Sequence, residues 1–216
     1  MQIYLPRSAQ STISMARVRV PRKARKLYEK AARPFRKGDY VEAQGKLDQA
    51  LHLYPAFPEA LVMQGYMQID LNQWEAAEQS LRAAVRRDPT YGWAYLLLSD
   101  LYNQEQRFDD AVAMSQRAVQ LIPNVWPAYY EMCKAFMGKD QFALALVASE
   151  AVLSNNRGTL LHLAKAHALI GLGRYQEAAV ELKAYLYHQP AGEGAQDAHD
   201  LLNKIQGKLQ CVRNPG

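Results

Sequence analysis

Apolar residues return along this chain at spacings of three and four, the interval that keeps one face of an α-helix turned inward. In the stretch 58–91, PEALVMQGYMQIDLNQWEAAEQSLRAAVRRDPTY, Leu61, Gly65 and Ile69 mark one such face, and Ala77, Leu81, Ala84 and Val85 mark a second. The polar run Leu71-Asn72-Gln73 between them predicts a turn. The stretch therefore reads as a helical hairpin.

The same hairpin recurs. An alanine stands at 43, 77, 111 and 145, each step being 34 residues, and again at 178 after a step of 33. Three residues before each is a ring: Tyr40, Trp74, Phe108, Phe142 and Tyr175. Small residues precede each alanine by twelve, at Ala31, Gly65, Ser99, Cys133 and Ala166, and Ala50, Ala84 and Ala118 follow by seven, giving way to Val152 and Tyr185. Small residues at fixed places mean that two helix backbones approach closely, since a larger side chain would push them apart. Proline closes the unit at Pro55, Pro89, Pro123 and Pro190, with Arg157 in its place once. It is expected to end each second helix at the residue before it.

These columns resemble those of the tetratricopeptide repeat, over about residues 22–192 in five units: 24–57, 58–91, 92–125, 126–158 and 159–192. The family's leucine before the small residue is Leu98 and Met132 here, but Lys30, Gln64 and Lys165 elsewhere. The resemblance implies an all-α, right-handed superhelical solenoid of antiparallel hairpins in which each unit covers its neighbour. It also implies a protein-interaction scaffold whose first helices line a concave groove with their second, fifth, ninth, twelfth and thirteenth places. Carried over, these are Tyr28, Phe35 and Arg36 in the first unit, and Glu59, Val62, Tyr66, Ile69 and Asp70 in the second. Trp93, Leu96, Asp100, Asn103 and Gln104 follow in the third, Tyr130, Lys134 and Met137 in the fourth, and Leu163, His167 and Ile170 in the fifth. Such an aromatic and aliphatic lining with scattered polar groups suits an extended peptide or an amphipathic helix. The alternative for several rings, Tyr66 and Tyr130 above all, is that they fill gaps between units. The lysine and asparagine that family members use to clamp a chaperone's terminal carboxylate are replaced by Tyr28 and Ala32, then Val62 and Tyr66. Chaperone co-factor activity is not supported.

Charge adds a second hypothesis. Residues 1–38 hold Arg7, Arg17, Arg19, Arg22, Lys23, Arg25, Lys26, Lys30, Arg33, Arg36 and Lys37 against Glu29, a net of +10 that leaves −5 for the remainder. The cluster from Arg22 to Lys37 is either a patch for nucleic acid or an anionic membrane surface, or the solvated outer face of a terminal helix. An acidic stretch follows from Asp39 to Glu78, which could attract the basic end of the same or another copy. End-to-end self-assembly is a third reading. Pro34 is expected to kink the first helix.

Catalytic patterns are missing. His162 and His167 are five apart, off the four-residue spacing of a helical metal pair, and the carboxylates Asp109 and Asp110 read as helix caps. No enzymatic activity and no cofactor is implied. Cys133 and Cys211 are expected as free thiols. No apolar run reaches the roughly 18 residues of a membrane helix. Residues 1–20 lack a helical period and are expected to be extended or disordered. The run ARVRVPRKARKLYEKA resembles the junction at which some bacterial multidomain proteins enter a repeat array, so a longer N-terminal part remains open. The compartment stays open with it, cytoplasmic by default and exported if such a part precedes. At the other end, Ala195, Ala198, Leu201, Leu202 and Ile205 predict a capping helix over 193–209, with a frayed tail at 210–216.

Overall fold

The computed structural model of the chain, described over residues 20–151, 159–192 and 194–213, contains eleven helices and no strand among the described residues. Helices α1 (Arg22–Arg36) and α2 (Tyr40–Leu53) form the first hairpin, and α3 (Pro58–Asp70) and α4 (Trp74–Arg87) the second. The third pairs α5 (Gly92–Gln104) with α6 (Phe108–Leu121), the fourth α7 (Trp126–Gly138) with α8 (Phe142–Glu150), and the fifth α9 (Thr159–Gly171) with α10 (Tyr175–His188). Helix α11 (Ala195–Arg213) packs on α10 and runs into the stretch expected to fray. The expectations for residues 1–19, for Val152 and Arg157 in their columns and for the final residues lie outside the described residues.

Every hairpin closes through one backbone device. Gly38, Asn72, Gln106, Asp140 and Gly173, spaced like the other columns, have φ of 75, 56, 58, 55 and 73°. The residue after each donates its N–H to a carbonyl five positions back: Asp39 to Pro34 at 3.0 Å, Gln73 to Gln68 at 2.8, Arg107 to Tyr102 at 2.8, Gln141 to Phe136 at 2.9 and Arg174 to Leu169 at 2.8. A left-handed residue bridged in this way satisfies the last helical carbonyls and reverses the chain in three residues.

The second helices end one residue earlier than the prolines alone predict. Helices α2, α4 and α10 stop at Leu53, Arg87 and His188, and the pre-proline residues Tyr54, Asp88 and Gln189 carry ψ of 88, 90 and 64°. The proline ring clashes with a helical conformation of the residue before it, so that residue leaves the helix as well. Pro34 stands buried in the last turn of α1, which stops at Arg36. Asp109 and Asp110 are not caps. The residue at the N-cap of α6 is Arg107, which makes no side-chain cap bond; Asp110 accepts from its guanidinium at 2.7 Å and Asp109 pairs with Lys139. Their place in the first turn still suits the positive end of the helix dipole.

The small columns lie where the helices meet. Ala43, Ala77, Ala111, Ala145 and Ala178 are fully buried. A Cβ on Gly65 would lie 2.6 Å from Leu81 Cγ. Ser99 Oγ donates to the Ala111 carbonyl at 3.1 Å, and Cys133 Sγ, one unit on, donates to the Ala145 carbonyl at 3.4 Å. Burial pushes the Cys133 thiol up to about 12, as expected of an unreactive core cysteine. The ring column reaches to the next unit: Phe108 and Phe142 lie so close to the ends of α7 and α9 that a Cβ on Gly138 or Gly171 would stand 2.3 or 2.4 Å from a ring carbon. Tyr40 makes the polar version of this contact, donating its hydroxyl to Asp70.

First helices of successive units pack on one another, α3 on α5, α5 on α7 and α7 on α9, whereas second helices of successive units touch only marginally. The first helices α3, α5, α7 and α9 therefore form one continuous packed layer, the face that the repeat resemblance expects to be concave.

Candidate functional site

The residues of the predicted stripe fall into two classes of burial on these first helices. Val62 and Leu96 are wholly buried, and Phe35, Ile69, Trp93, Asn103 and Leu163 nearly so. These residues build the floor. Tyr28, Glu59, Tyr66, Asp100, Tyr130, Lys134, Met137, His167 and Ile170 are half-buried and reach its surface, with Asp70, Arg36 and Gln104 exposed at the end of their helices.

The composition of the stripe changes along its length. At the first two units it is aromatic: the Tyr28 and Phe57 centroids are 5.1 Å apart, and Phe35 meets Tyr66 edge-on at 5.2 Å. At the fifth unit His167 Nε2 lies 2.9 Å from Asp197 of α11, which ties the capping helix to the groove wall.

Between the third and fourth units the stripe is polar and charged. Asn103 Nδ2 on α5 donates both to the Glu131 carbonyl and to Glu131 Oε2 on α7, each at 2.9 Å. Lys134 Nζ stands 2.9 Å from the same Oε2 and 3.5 Å from Asp100 Oδ1, and 5.6 Å from the centre of the Tyr130 ring. Glu131 is fully buried, and neither its Oε1 nor Asn103 Oδ1 has a hydrogen-bond partner among the described residues. Burial pushes the Glu131 carboxyl up to about 7, with the Asp100 charge acting in the same direction against Lys134 and the Asn103 amide. Burial also works against the Lys134 ammonium, but Glu131 and Asp100 outweigh it and hold that group above its ordinary range. The lysine thus stays charged while Glu131 titrates near neutrality.

Glu131 was missed by the groove places carried over from the repeat. The signal was in the columns: the sixth place of the inner helices holds Met63, Leu97 and Ala164 in the neighbouring units, all buried. The twelfth holds Phe35, Ile69, Met137 and Ile170 where Asn103 breaks the series. Glu29 stands exposed at the sixth place of the first unit, whereas Asn103 and Glu131 are buried polar residues at places that are apolar in the adjoining units, and they bond to each other.

The basic residues Arg22, Lys23, Arg25, Lys26, Lys30, Arg33 and Arg36 are all exposed on α1, as is Lys37 at its C-cap, and the buried residues of the helix are Ala24, Ala31, Pro34 and Phe35. Of the histidines, His162 Nδ1 meets Glu181 at 2.7 Å, and Lys165 Nζ meets the same carboxylate at 2.9 Å, apart from the His167 pair. Burial raises Glu181, but the His162 bond and Lys165 outweigh it, leaving this carboxylate below its usual range. On the other side of the array Glu78 accepts from Tyr102 at 2.8 Å and Arg107 at 3.3 Å, which joins the second unit to the third. Among the described residues no helix is long and apolar enough to cross a membrane.

Comparison with known proteins agrees with this architecture. Tetratricopeptide-repeat models match residues 35–92 and 68–136. Anaphase-promoting complex subunit 3 of Schizosaccharomyces pombe is 27% identical over 173 residues; the chain spans about a quarter of that protein's length, 25%, and the match takes in 77% of its own. A thermophilic tetratricopeptide-repeat protein of Thermus thermophilus superposes with a TM-score of 0.65 at 20% identity, over 87% of this chain and 99% of that one. YrrB, a tetratricopeptide-repeat protein with an unusual peptide-binding site, superposes at 0.64 and 18% identity, over 82% and 92%. Proteins of this fold generally mediate protein–protein interaction or scaffolding, typically without catalysis. With its recurring hairpins, its buried small columns and these matches, the chain is a tetratricopeptide-repeat protein.

Proposed function

We propose that the chain is a non-catalytic scaffold that binds a peptide segment or an amphipathic helix along the inner curve of α3, α5 and α7. One observation carries the reading: half-buried side chains of mixed character, Tyr66, Asp100, Tyr130, Lys134 and Met137, stand among wholly buried apolar residues on the first helices, which pack on one another from unit to unit. Apolar anchors of a segment would bury against the rings while polar groups fix its register. YrrB, of the same fold, is described by its peptide-binding site, which supports a peptide as the class of ligand.

Selection from a random twelve-residue peptide library tests this. The wild-type chain should enrich defined sequences, and a Gln104→Ala/Tyr130→Ala/Met137→Ala variant with unchanged circular dichroism should lose them. Enrichment that survives the triple substitution would place the ligand elsewhere.

A second reading rests on α1 and its C-cap, where the eight basic residues from Arg22 to Lys37 are exposed with Glu29 as the sole acid of the helix. Binding of a polyanion there would fall steeply with salt, while the groove would lose little. Reversing Arg22, Lys23, Arg25 and Lys26 to glutamate separates the two: nucleic acid or anionic vesicles would be lost and selected peptides retained.

A further inference from the structure

Resting on the groove reading, we infer that the third and fourth units form a cation site, held in the free chain by Lys134 and suited to the charged side chain of an arginine or lysine in the bound segment.

The cluster has more acceptors than donors. Glu131 and Asp100 bring two carboxylates and Asn103 an amide oxygen, against one ammonium and one amide N–H₂. Glu131 Oε1 and Asn103 Oδ1 make no hydrogen bond among the described residues, although Glu131 is fully buried. A buried acceptor left without a donor is costly, so the arrangement favours the arrival of one more donor.

The positions argue against an accident of packing. The second, third and fifth units fill the sixth place with the buried Met63, Leu97 and Ala164, the first having an exposed Glu29 there, and the other units fill the twelfth with Phe35, Ile69, Met137 and Ile170. An apolar pair would fit this junction too and would carry no desolvation penalty. What the polar pair adds, beside Asp100, is a cluster with more hydrogen-bond acceptors than donors.

Lys134 shows how the cluster receives a cation. Its ammonium lies between the two carboxylates and 5.6 Å from the Tyr130 ring centre, a combination of charge pairing and ring-face attraction that favours a cation over a neutral donor. The Asp100 contact, at 3.5 Å, is long, and the Lys134 side chain is 32% exposed, so it covers the buried oxygens with a flexible arm. A guanidinium entering from the groove would pair with Asp100 on its open side. If Lys134 swings out, the same group reaches Glu131 with the flat, forked geometry that suits a carboxylate.

The test uses the whole chain and a probe independent of any selected peptide. Nα-acetyl-arginine methylamide is titrated into ¹⁵N-labelled protein, with the neutral, nearly isosteric citrulline derivative in parallel. The inference predicts saturable shifts at Asp100, Asn103 and 130–134 with arginine and none with citrulline. Asp100→Asn and Glu131→Gln should each abolish them with the rest of the spectrum kept; should the buried Glu131→Gln fail to fold, Asp100→Asn, at a side chain that still reaches solvent, decides alone. Lys134→Met, which removes an intramolecular competitor, should tighten arginine roughly tenfold. Equal shifts from both probes, shifts confined to other acidic surfaces, or weaker binding by Lys134→Met would each overturn the cation site. The groove reading would survive any of these if library peptides still depend on Tyr130 and Met137.

Discussion

The junction between the first and second units and that between the third and fourth use the same helix faces for opposite chemistry. In the first, the twelfth-place Phe35 closes on Tyr66, while Tyr28 meets Phe57. In the second, the twelfth-place Asn103 bonds to the buried Glu131, and Asp100 and Lys134 face each other one unit apart. Rings bury area without desolvating charge and make the junction rigid. The polar cluster must overcome the burial of a carboxyl, and it leaves two acceptors without a bond among the described residues. A repeat array permits this contrast because each unit is held by its own hairpin columns, here Ser99 to Ala111 and Cys133 to Ala145, so one junction can give up apolar contact without loss of the fold.

The largest expected effect comes from breaking the aromatic junction. Phe35→Ala should cost about 3–5 kcal/mol in urea unfolding, since it removes a buried ring from a stack of three. Restoring the column residues at the polar junction should act in the opposite direction. The pair Asn103→Met/Glu131→Leu is expected to stabilise the chain by about 1–4 kcal/mol, and to abolish the response to the arginine probe. Loss of stability in that double variant would mean that the cluster is a structural necessity.

A pH profile sharpens the comparison without altering the core. Glu131 in the fold is pushed up to about 7 from an ordinary 4.5, so the folded chain binds the proton more tightly than the unfolded chain. Its contribution is fully present below about 4.5 and is lost as pH rises through about 7. The groups facing it are Asp100 on α5, and Lys134 and the Cys133 thiol on α7. Glu131→Gln should flatten this part of the stability profile, measured by denaturant midpoints at successive pH values; an unchanged slope would show that other groups cause it. The smallest effect is expected at the hairpin turns. Gly38 and Gln106 share a positive φ, and a Cβ on Gly38 would touch nothing within 4 Å, so conformation alone matters there. Gly38→Ala should destabilise and Gln106→Gly stabilise, each by about 1 kcal/mol in thermal unfolding.

The hairpins were legible because small and aromatic columns are a direct imprint of close helix packing: Ala43, Ala77, Ala111, Ala145 and Ala178 are each fully buried where two helices touch. The turn device was not. Gly38, Asn72, Gln106, Asp140 and Gly173 share a backbone conformation and no side-chain chemistry. For the proposed groove, the place numbers say nothing of depth: Val62 and Leu96 stand at groove places and yet are wholly buried, so place in a helix does not by itself tell floor from surface. Glu131 was hidden for the converse reason: its place is a packing position, Met63, Leu97 and Ala164, in the second, third and fifth units, while the first unit has an exposed Glu29 there, so the carboxylate alone did not mark it.

The most direct measurement is hydrogen exchange of the chain with and without a library-selected peptide. Peptide binding along the inner curve predicts slowed exchange in α3, α5 and α7, with α4, α6 and α8 unchanged and the protection kept at moderate salt. Protection confined to α1, or to the second helices, would contradict the account.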